Sequence, residues 1–124
     1  MKKLEKEIAT YLKERGWNTM TPSDMAKSIS IEAAELLEVF QWDNKSLADT
    51  KTNPARMKKI KEELADVFIY CLDMAVLLDI DSETIIREKL EYNKKKYPAI
   101  EMKHSKGHER YHEIKKQYRN EKRS

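Results

Sequence analysis

The chain has 124 residues and a mass of 14.7 kDa, which is the size of one domain. Charged residues make up 38% of the sequence, and its two glycines and three prolines are too few for the tight turns of a sandwich or barrel. A single cysteine excludes an internal disulfide framework and a cysteine-rich zinc site. The composition therefore predicts an all-α fold of long helices with charged surfaces.

The chain carries no sign of export or membrane insertion. Its first seventeen residues lack the apolar segment of a secretory signal. The longest apolar stretch, residues 67–78, is interrupted by Asp73 and is too short to span a bilayer. We expect a cytoplasmic protein with no membrane partner.

Four principal helices are predicted in the first 101 residues, in an oligomeric bundle. Their approximate ranges are 3–14, 22–41, 54–78 and 83–96. Thr21 and Asn53 each precede a proline at a first helical position, which is typical of an N-cap, and Gly16 ends the first helix. The third helix is apolar on nearly all sides in its second half, so we expect it to be central. The segment before it is expected to be a polar loop.

Residues 102–124 form a basic, polar tail with eight lysines and arginines against three glutamates. His104, His108 and His112 recur at every fourth position within it. We favour a solvated tail, partly helical or disordered, over a nucleic-acid-binding or transition-metal-binding segment. The expected division is therefore a domain over residues 1–101 and a tail over residues 102–124.

Two pairs of acids stand within apolar stretches of the second and third helices. Glu32 and Glu35 are three residues apart, and so are Glu63 and Asp66, so each pair shares a helix face. Lys59 is the only basic residue three or four positions from any of these four acids, which argues against an ordinary face of surface salt bridges. If the helices pack side by side, each pair of charges about 5 Å apart repels by roughly 3 kcal/mol at an effective dielectric constant near 20. A hard cation would relieve this repulsion, with Mg²⁺ favoured and Mn²⁺ second.

Two further groups of residues suit a nucleotide. Lys89, Asn93 and Lys96 share one face of the fourth helix and could hold phosphate oxygens, although lysine runs are more often solvated. Trp17, Trp42 and Tyr70 offer aromatic faces for stacking a base, and core or interface packing is the alternative for Trp42 and Tyr70.

The motif EAAE at 32–35, followed by EELAD at 62–66, resembles the ExxE…ExxD signature of the MazG-like all-α nucleotide pyrophosphohydrolases. FQW after the first motif, VFIY after the second and KLEYNKKKYPA at 89–99 are similar to the single-domain dCTP pyrophosphatase branch of that superfamily. The resemblance covers roughly residues 10–100. It identifies residues 1–101 as a domain of this type.

The resemblance implies hydrolysis of nucleoside triphosphates between the α- and β-phosphates, with deoxynucleotides similar to dCTP favoured and pool clearance as the role. It implies that the Mg²⁺ ligands are Glu32, Glu35, Glu63 and Asp66, and that the phosphate contacts are Lys89, Asn93 and Lys96. It implies contacts near the base or nucleotide by Trp17, Trp42 and Tyr70. Glu38 and Glu62 are the implied carboxylates that orient or deprotonate water. A homodimer or homotetramer is implied, and nucleic acid is not expected as a partner.

The alternative is a non-enzymatic helical interaction protein with a basic, nucleic-acid-binding tail. A di-metal carboxylate oxidase is disfavoured because helices two to four lack histidine.

Overall fold

The computed structural model describes residues 1–103 and 107–123, and all regular secondary structure in these ranges is helical, as predicted. The helices are α1 (Lys2–Glu14), α2 (Pro22–Glu38), α3 (Leu47–Lys51), α4 (Pro54–Leu77), α5 (Ser82–Lys96), α6 (Ala99–Met102) and α7 (Gly107–Arg123). They form two compact units, residues 1–82 and residues 83–124. Within the described ranges no helix is long and apolar enough to cross a membrane.

The predicted count of four helices is wrong, because the described residues form seven. The four predicted helices are α1, α2, α4 and α5, and α2 ends at Glu38 rather than near Gln41. The predicted polar loop contains α3, whose start is capped by Ser46: its Oγ accepts a hydrogen bond of 3.1 Å from the Asp49 N–H. The two other additional helices, α6 and α7, lie near or within the predicted tail. The functional boundary at residue 101 stays a prediction.

The predicted N-caps of α2 and α4 are confirmed. Thr21 Oγ1 accepts a hydrogen bond of 3.2 Å from the Asp24 N–H, and Asn53 Oδ1 accepts one of 3.1 Å from the Arg56 N–H. Each bond satisfies a backbone donor that the first turn of a helix leaves unpaired. Both helices therefore begin where the local sequence specifies.

Helix α4 is the central element of the first unit, as predicted, and packs against α1, α2 and α3. The buried apolar side chains of this unit are Ile8, Leu12, Met25 and Ala75. Large apolar side chains on α2 and α4 are nevertheless exposed, including Leu37 at 66% and Phe68 at 58%. A substantial apolar surface is thus left uncovered in the single chain.

Arg56 at the start of α4 fixes the end of α2. Its guanidinium donates to both carboxylate oxygens of Asp43, at 2.6 and 2.8 Å, and to the carbonyl oxygen of Val39 at 2.6 Å. The two-pronged pairing with a carboxylate is geometrically selective. It ties the segment that follows α2 to the first turn of α4.

The second unit is held by aromatic contacts and one buried aliphatic residue. The ring centroids of Tyr97 and Tyr111 are 4.8 Å apart, and those of Tyr92 and Tyr118 are 6.1 Å apart. Ile114 on α7 is only 4% exposed. Helix α7 is thus a packed element of this unit.

Candidate active site

Three carboxylates from two helices meet in the first unit. Glu32 on α2 and Glu63 and Asp66 on α4 each place one oxygen within 4.8 Å of the others. Glu63 is 8% exposed, whereas Asp66 is exposed at the edge of the group. The i, i+3 spacing on α4 puts both of its acids on the face that meets α2.

Glu35 joins these three residues through Glu32. Burial raises the pKa of Glu32, and a hydrogen bond shared with the Glu35 carboxyl raises it further. The negative charges of Glu35, Asp66 and Glu63 act in the same direction. The structure thus brings the four predicted acids into one group, which we name the carboxylate cluster: Glu32, Glu35, Glu63 and Asp66.

The cluster has the donor set of a hard-cation site. The Oε2 atoms of Glu32 and Glu63 are buried and lack a hydrogen-bond partner within residues 1–103 and 107–123. The other oxygen of Glu63 accepts a salt bridge of 2.8 Å from the Lys59 ammonium. One oxygen from each of Glu32, Glu63 and Asp66 lies within 4.8 Å of the others, and ligands of one Mg²⁺ ion are at most about 4 Å apart. The cluster could therefore hold a metal ion bound through carboxylate oxygens.

Glu38 lies beside the cluster, at a cavity of about 450 Å³ lined by Glu35, Glu38, Val39, Lys59 and Glu63. Glu62 is exposed, and its negative charge contributes to raising the pKa of Lys59, after the larger effect of Glu63. Of the two predicted water-orienting acids, Glu38 is therefore the one that shares a cavity with members of the cluster.

A second cavity, which we name the aromatic cleft, shares Asp66 with the cluster. It measures about 270 Å³ and is lined by Tyr11, Trp17, Met20, Ser28, Asp66, Ile69, Tyr70 and Asp73. The rings of Tyr11 and Trp17 meet edge to face at 5.9 Å. Two of the three predicted base-contacting residues, Trp17 and Tyr70, therefore lie in one cleft beside the carboxylates.

The end of α1 positions Trp17. Gly16 has a φ of +70°, a conformation that glycine adopts without steric cost, and the Trp17 N–H donates to the Leu12 carbonyl oxygen at 2.9 Å. Leu12 is almost fully buried. The helix terminus therefore anchors the residue that forms a wall of the cleft.

The remaining predicted contacts are Trp42 and three residues of the second unit. Trp42 is 89% exposed and lines neither of these two cavities. Lys89, Asn93 and Lys96 lie on α5 in the second unit. There Lys96 Nζ stands 4.6 Å from the centroid of the Tyr118 ring, and Lys89 Nζ stands 4.5 Å from that of Tyr92. Both ammonium groups thus pack on aromatic faces of their own unit.

Asp73 is a residue of the cleft whose significance the sequence did not reveal. It is 3% exposed, and its Oδ1 has no hydrogen-bond partner in the part of the chain that the structure describes. Burial raises the pKa of this carboxyl. The signal that could have identified it is the series Glu63, Asp66, Tyr70 and Asp73, whose spacing continues one face of α4.

Two histidines of the tail meet on α7. The Nε2 atoms of His108 and His112 are 3.1 Å apart, and both residues are exposed. His104 lies outside the described residues. The two described histidines are one turn apart on the helix, as their spacing predicts.

A helical domain with four converging carboxylates could hold a metal ion, and comparison with known sequences specifies the protein family. The sequence profile of the MazG-like family matches residues 27–120, a range that includes the whole carboxylate cluster. The chain belongs to the MazG-like family.

Named relatives extend this result. The human and rat proteins called dCTP pyrophosphatase 1 are 29% and 28% identical to the chain over 93 residues. The alignments cover 73% of this chain and 55% of each relative, so the chain spans about half the length of these relatives. A solved structure of a pyrophosphatase from Archaeoglobus fulgidus DSM 4304 aligns with a TM-score of 0.69 and 38% identity, covering 79% of this chain and 92% of that chain.

Proposed function

We propose that the protein hydrolyses nucleoside triphosphates to the monophosphate and pyrophosphate. The observation that carries this proposal is the position of the carboxylate cluster next to the aromatic cleft, with Asp66 common to both. A cation site beside a pocket with aromatic walls suits a phosphate chain joined to a base. The names of the relatives support the same reaction.

In this proposal the carboxylate cluster holds Mg²⁺, with Mn²⁺ as the second choice. When bound, the ion supplies positive charge that polarises the phosphoryl group and neutralises the negative charge developing on its oxygens. Two buried oxygens, on Glu32 and Glu63, have no hydrogen-bond partner among the described residues. They support the assignment, because a buried unpaired carboxylate oxygen is costly.

The chain's own residues position water and substrate. Glu38, at the cavity beside Glu35 and Glu63, is our choice for orienting or deprotonating the attacking water, with Glu62 as the second candidate. Trp17 and Tyr70 stack against the base. We assign phosphate contacts to Lys89, Asn93 and Lys96 from the sequence resemblance, and a further contact near the nucleotide to Trp42.

The preferred substrate in this proposal is a deoxynucleoside triphosphate similar to dCTP, in a role of nucleotide pool clearance in the cytoplasm. The names of the mammalian relatives support this choice of substrate. We further propose a homodimer or homotetramer. The exposed apolar side chains of α2 and α4, such as Leu37 and Phe68, would be covered in such an assembly.

The decisive experiment incubates the protein with each of the eight common dNTPs and NTPs and Mg²⁺, and measures pyrophosphate separately from orthophosphate. We expect pyrophosphate and a monophosphate in equal amounts, and loss of both with Glu63→Gln. Release of orthophosphate alone would contradict cleavage between the α- and β-phosphates. An exposed acid on α1, Glu7→Gln, provides the control for removal of one negative charge.

A further inference from the structure

Asp73 occupies an unusual position for an acid. It lies on α4 with 3% of its surface exposed and lines the aromatic cleft, where it is the more deeply buried of two carboxylates, the other being Asp66. Its Oδ1 has no hydrogen-bond partner in residues 1–103 or 107–123. Burying such an acceptor without a partner is destabilising, because its hydration is lost and not replaced. A ligand that donates a hydrogen bond to it would remove this cost.

The place of Asp73 along α4 indicates which part of a nucleotide it would meet. Asp73 lies seven positions after Asp66 of the carboxylate cluster, which corresponds to a rise of roughly 10 Å along the helix. A negatively charged group would repel the phosphates, so it suits the opposite end of the substrate. Three of the residues that share the cleft, Tyr11, Trp17 and Tyr70, are aromatic and suit a base.

We propose that Asp73 is the specificity-determining residue of the aromatic cleft, accepting a hydrogen bond from the exocyclic amino group of the base. This inference rests on the proposed function. An ionised carboxylate has acceptors only, and cytosine presents an amino donor where uracil and thymine present a carbonyl oxygen. The cleft therefore selects dCTP over dUTP, since the uracil oxygen would leave two acceptors facing each other without a proton.

The test compares dCTP with dUTP, because their bases differ at this edge alone. For the wild type we expect kcat/KM to be at least about tenfold higher with dCTP. In Asp73→Asn the amide can donate to the uracil oxygen, so the ratio should fall to within about threefold of one. Asp79→Asn makes the same chemical change just beyond the end of α4, on an exposed residue, and should leave the ratio as in the wild type. Asp73→Ala serves as the second variant if the amide disturbs folding, and circular dichroism monitors both.

Equilibrium binding of dCMP and dUMP, measured by calorimetry, separates the failure of this inference from that of the proposed function. Preference for dCMP in the wild type and its loss in Asp73→Asn would support base recognition by Asp73 even if no triphosphate were hydrolysed. Equal binding of both monophosphates by the wild type, or an unchanged preference in a folded Asp73→Asn protein, would overturn the inference. Absence of pyrophosphate with every triphosphate would overturn the proposed function instead.

Discussion

Lys59 and Glu63 form a salt bridge across one turn of α4, with Nζ 2.8 Å from Oε1, although the Glu63 side chain is only 10% exposed. The other oxygen of this carboxylate, Oε2, is buried and has no hydrogen-bond partner in the described ranges, and Glu63 also belongs to the carboxylate cluster. The Lys59 side chain is 59% exposed and can leave this position at little cost. The ammonium thus provides the cluster with a partial, mobile counter-charge.

This arrangement predicts competition between Lys59 and a divalent cation. Lys59→Met removes one positive charge a few ångströms from the cluster, so Mg²⁺ should bind about two- to fivefold more tightly, as expected for an interaction of about 0.5–1 kcal/mol between solvent-screened charges. Isothermal titration calorimetry of the protein with MgCl₂ measures the change. Lys58→Met, at the exposed neighbouring position, is the control. An equal gain in both variants would indicate a general charge effect and no specific competition.

Glu32→Gln should abolish turnover while maintaining or increasing the stability of the metal-free protein. The raised pKa of Glu32 shows that its charge is unfavourable in the folded state, and the uncharged amide avoids this cost. Mg²⁺ at a hundred times its Kd should stabilise the wild type by about 2.7 kcal/mol and the variant much less. Urea denaturation with and without Mg²⁺ measures both effects.

The same loss of turnover is expected for Glu35→Gln, Glu63→Gln and Asp66→Asn. Each substitution removes one negative oxygen ligand from the proposed cation site. Pyrophosphate release under saturating dCTP and Mg²⁺ is the measurement, with Glu7→Gln as control. Near-normal activity in one of the three variants would remove that residue from the set of ligands.

Asp73 should make the stability of the protein depend on pH. Burial raises its pKa above the unfolded value, so the folded state holds this proton more tightly and stability falls as pH rises from the unfolded pKa through the folded one. Asp73→Asn should therefore match the wild type at acidic pH and exceed it at neutral pH. Denaturation midpoints in urea between pH 3.5 and 8 test this, with Asp79→Asn as control. A constant difference across the range would mean that the carboxyl proton is not responsible.

Ile114→Ala should destabilise the second unit by about 2–3 kcal/mol, because the side chain is 4% exposed and its removal leaves a cavity. Hydrogen exchange of the α7 amides reports this directly. Gln117→Ala, an exposed position on the same helix, should have little effect. Unchanged protection of α7 in Ile114→Ala would show that residues 107–123 behave as the solvated tail that the composition suggests.

The helix starts were predictable because they depend on neighbouring residues. Thr21 and Asn53 each bond to a backbone N–H three residues further on, and that relationship is visible in the sequence. Helix α3 was missed because five residues are too few to show a periodic pattern. The packing of α7 was obscured by surrounding charges, although Tyr111, Ile114 and Tyr118 follow a helical spacing.

The candidate site likewise contains some residues that the sequence could identify and others that it could not. Pairing within Glu32–Glu35 and Glu63–Asp66 follows from helix periodicity, so the carboxylate cluster could be proposed from spacing. The spacing of Asp66, Tyr70 and Asp73 places Asp73 on the same face of α4, but its burial depends on how α1, α2 and α4 pack, which the spacing does not encode. Trp42 illustrates the converse, since its residue type suggests contact with a ligand while the single chain leaves it 89% exposed.

The two tryptophans occupy contrasting environments, Trp17 beside Tyr11 in the aromatic cleft and Trp42 almost fully in solvent. These are the only indole fluorophores of the chain. Trp42→Phe would leave a protein whose intrinsic emission comes from the cleft alone. Stacking of a base on the remaining indole should quench that emission, so occupancy of the cleft could be followed in real time without a labelled nucleotide.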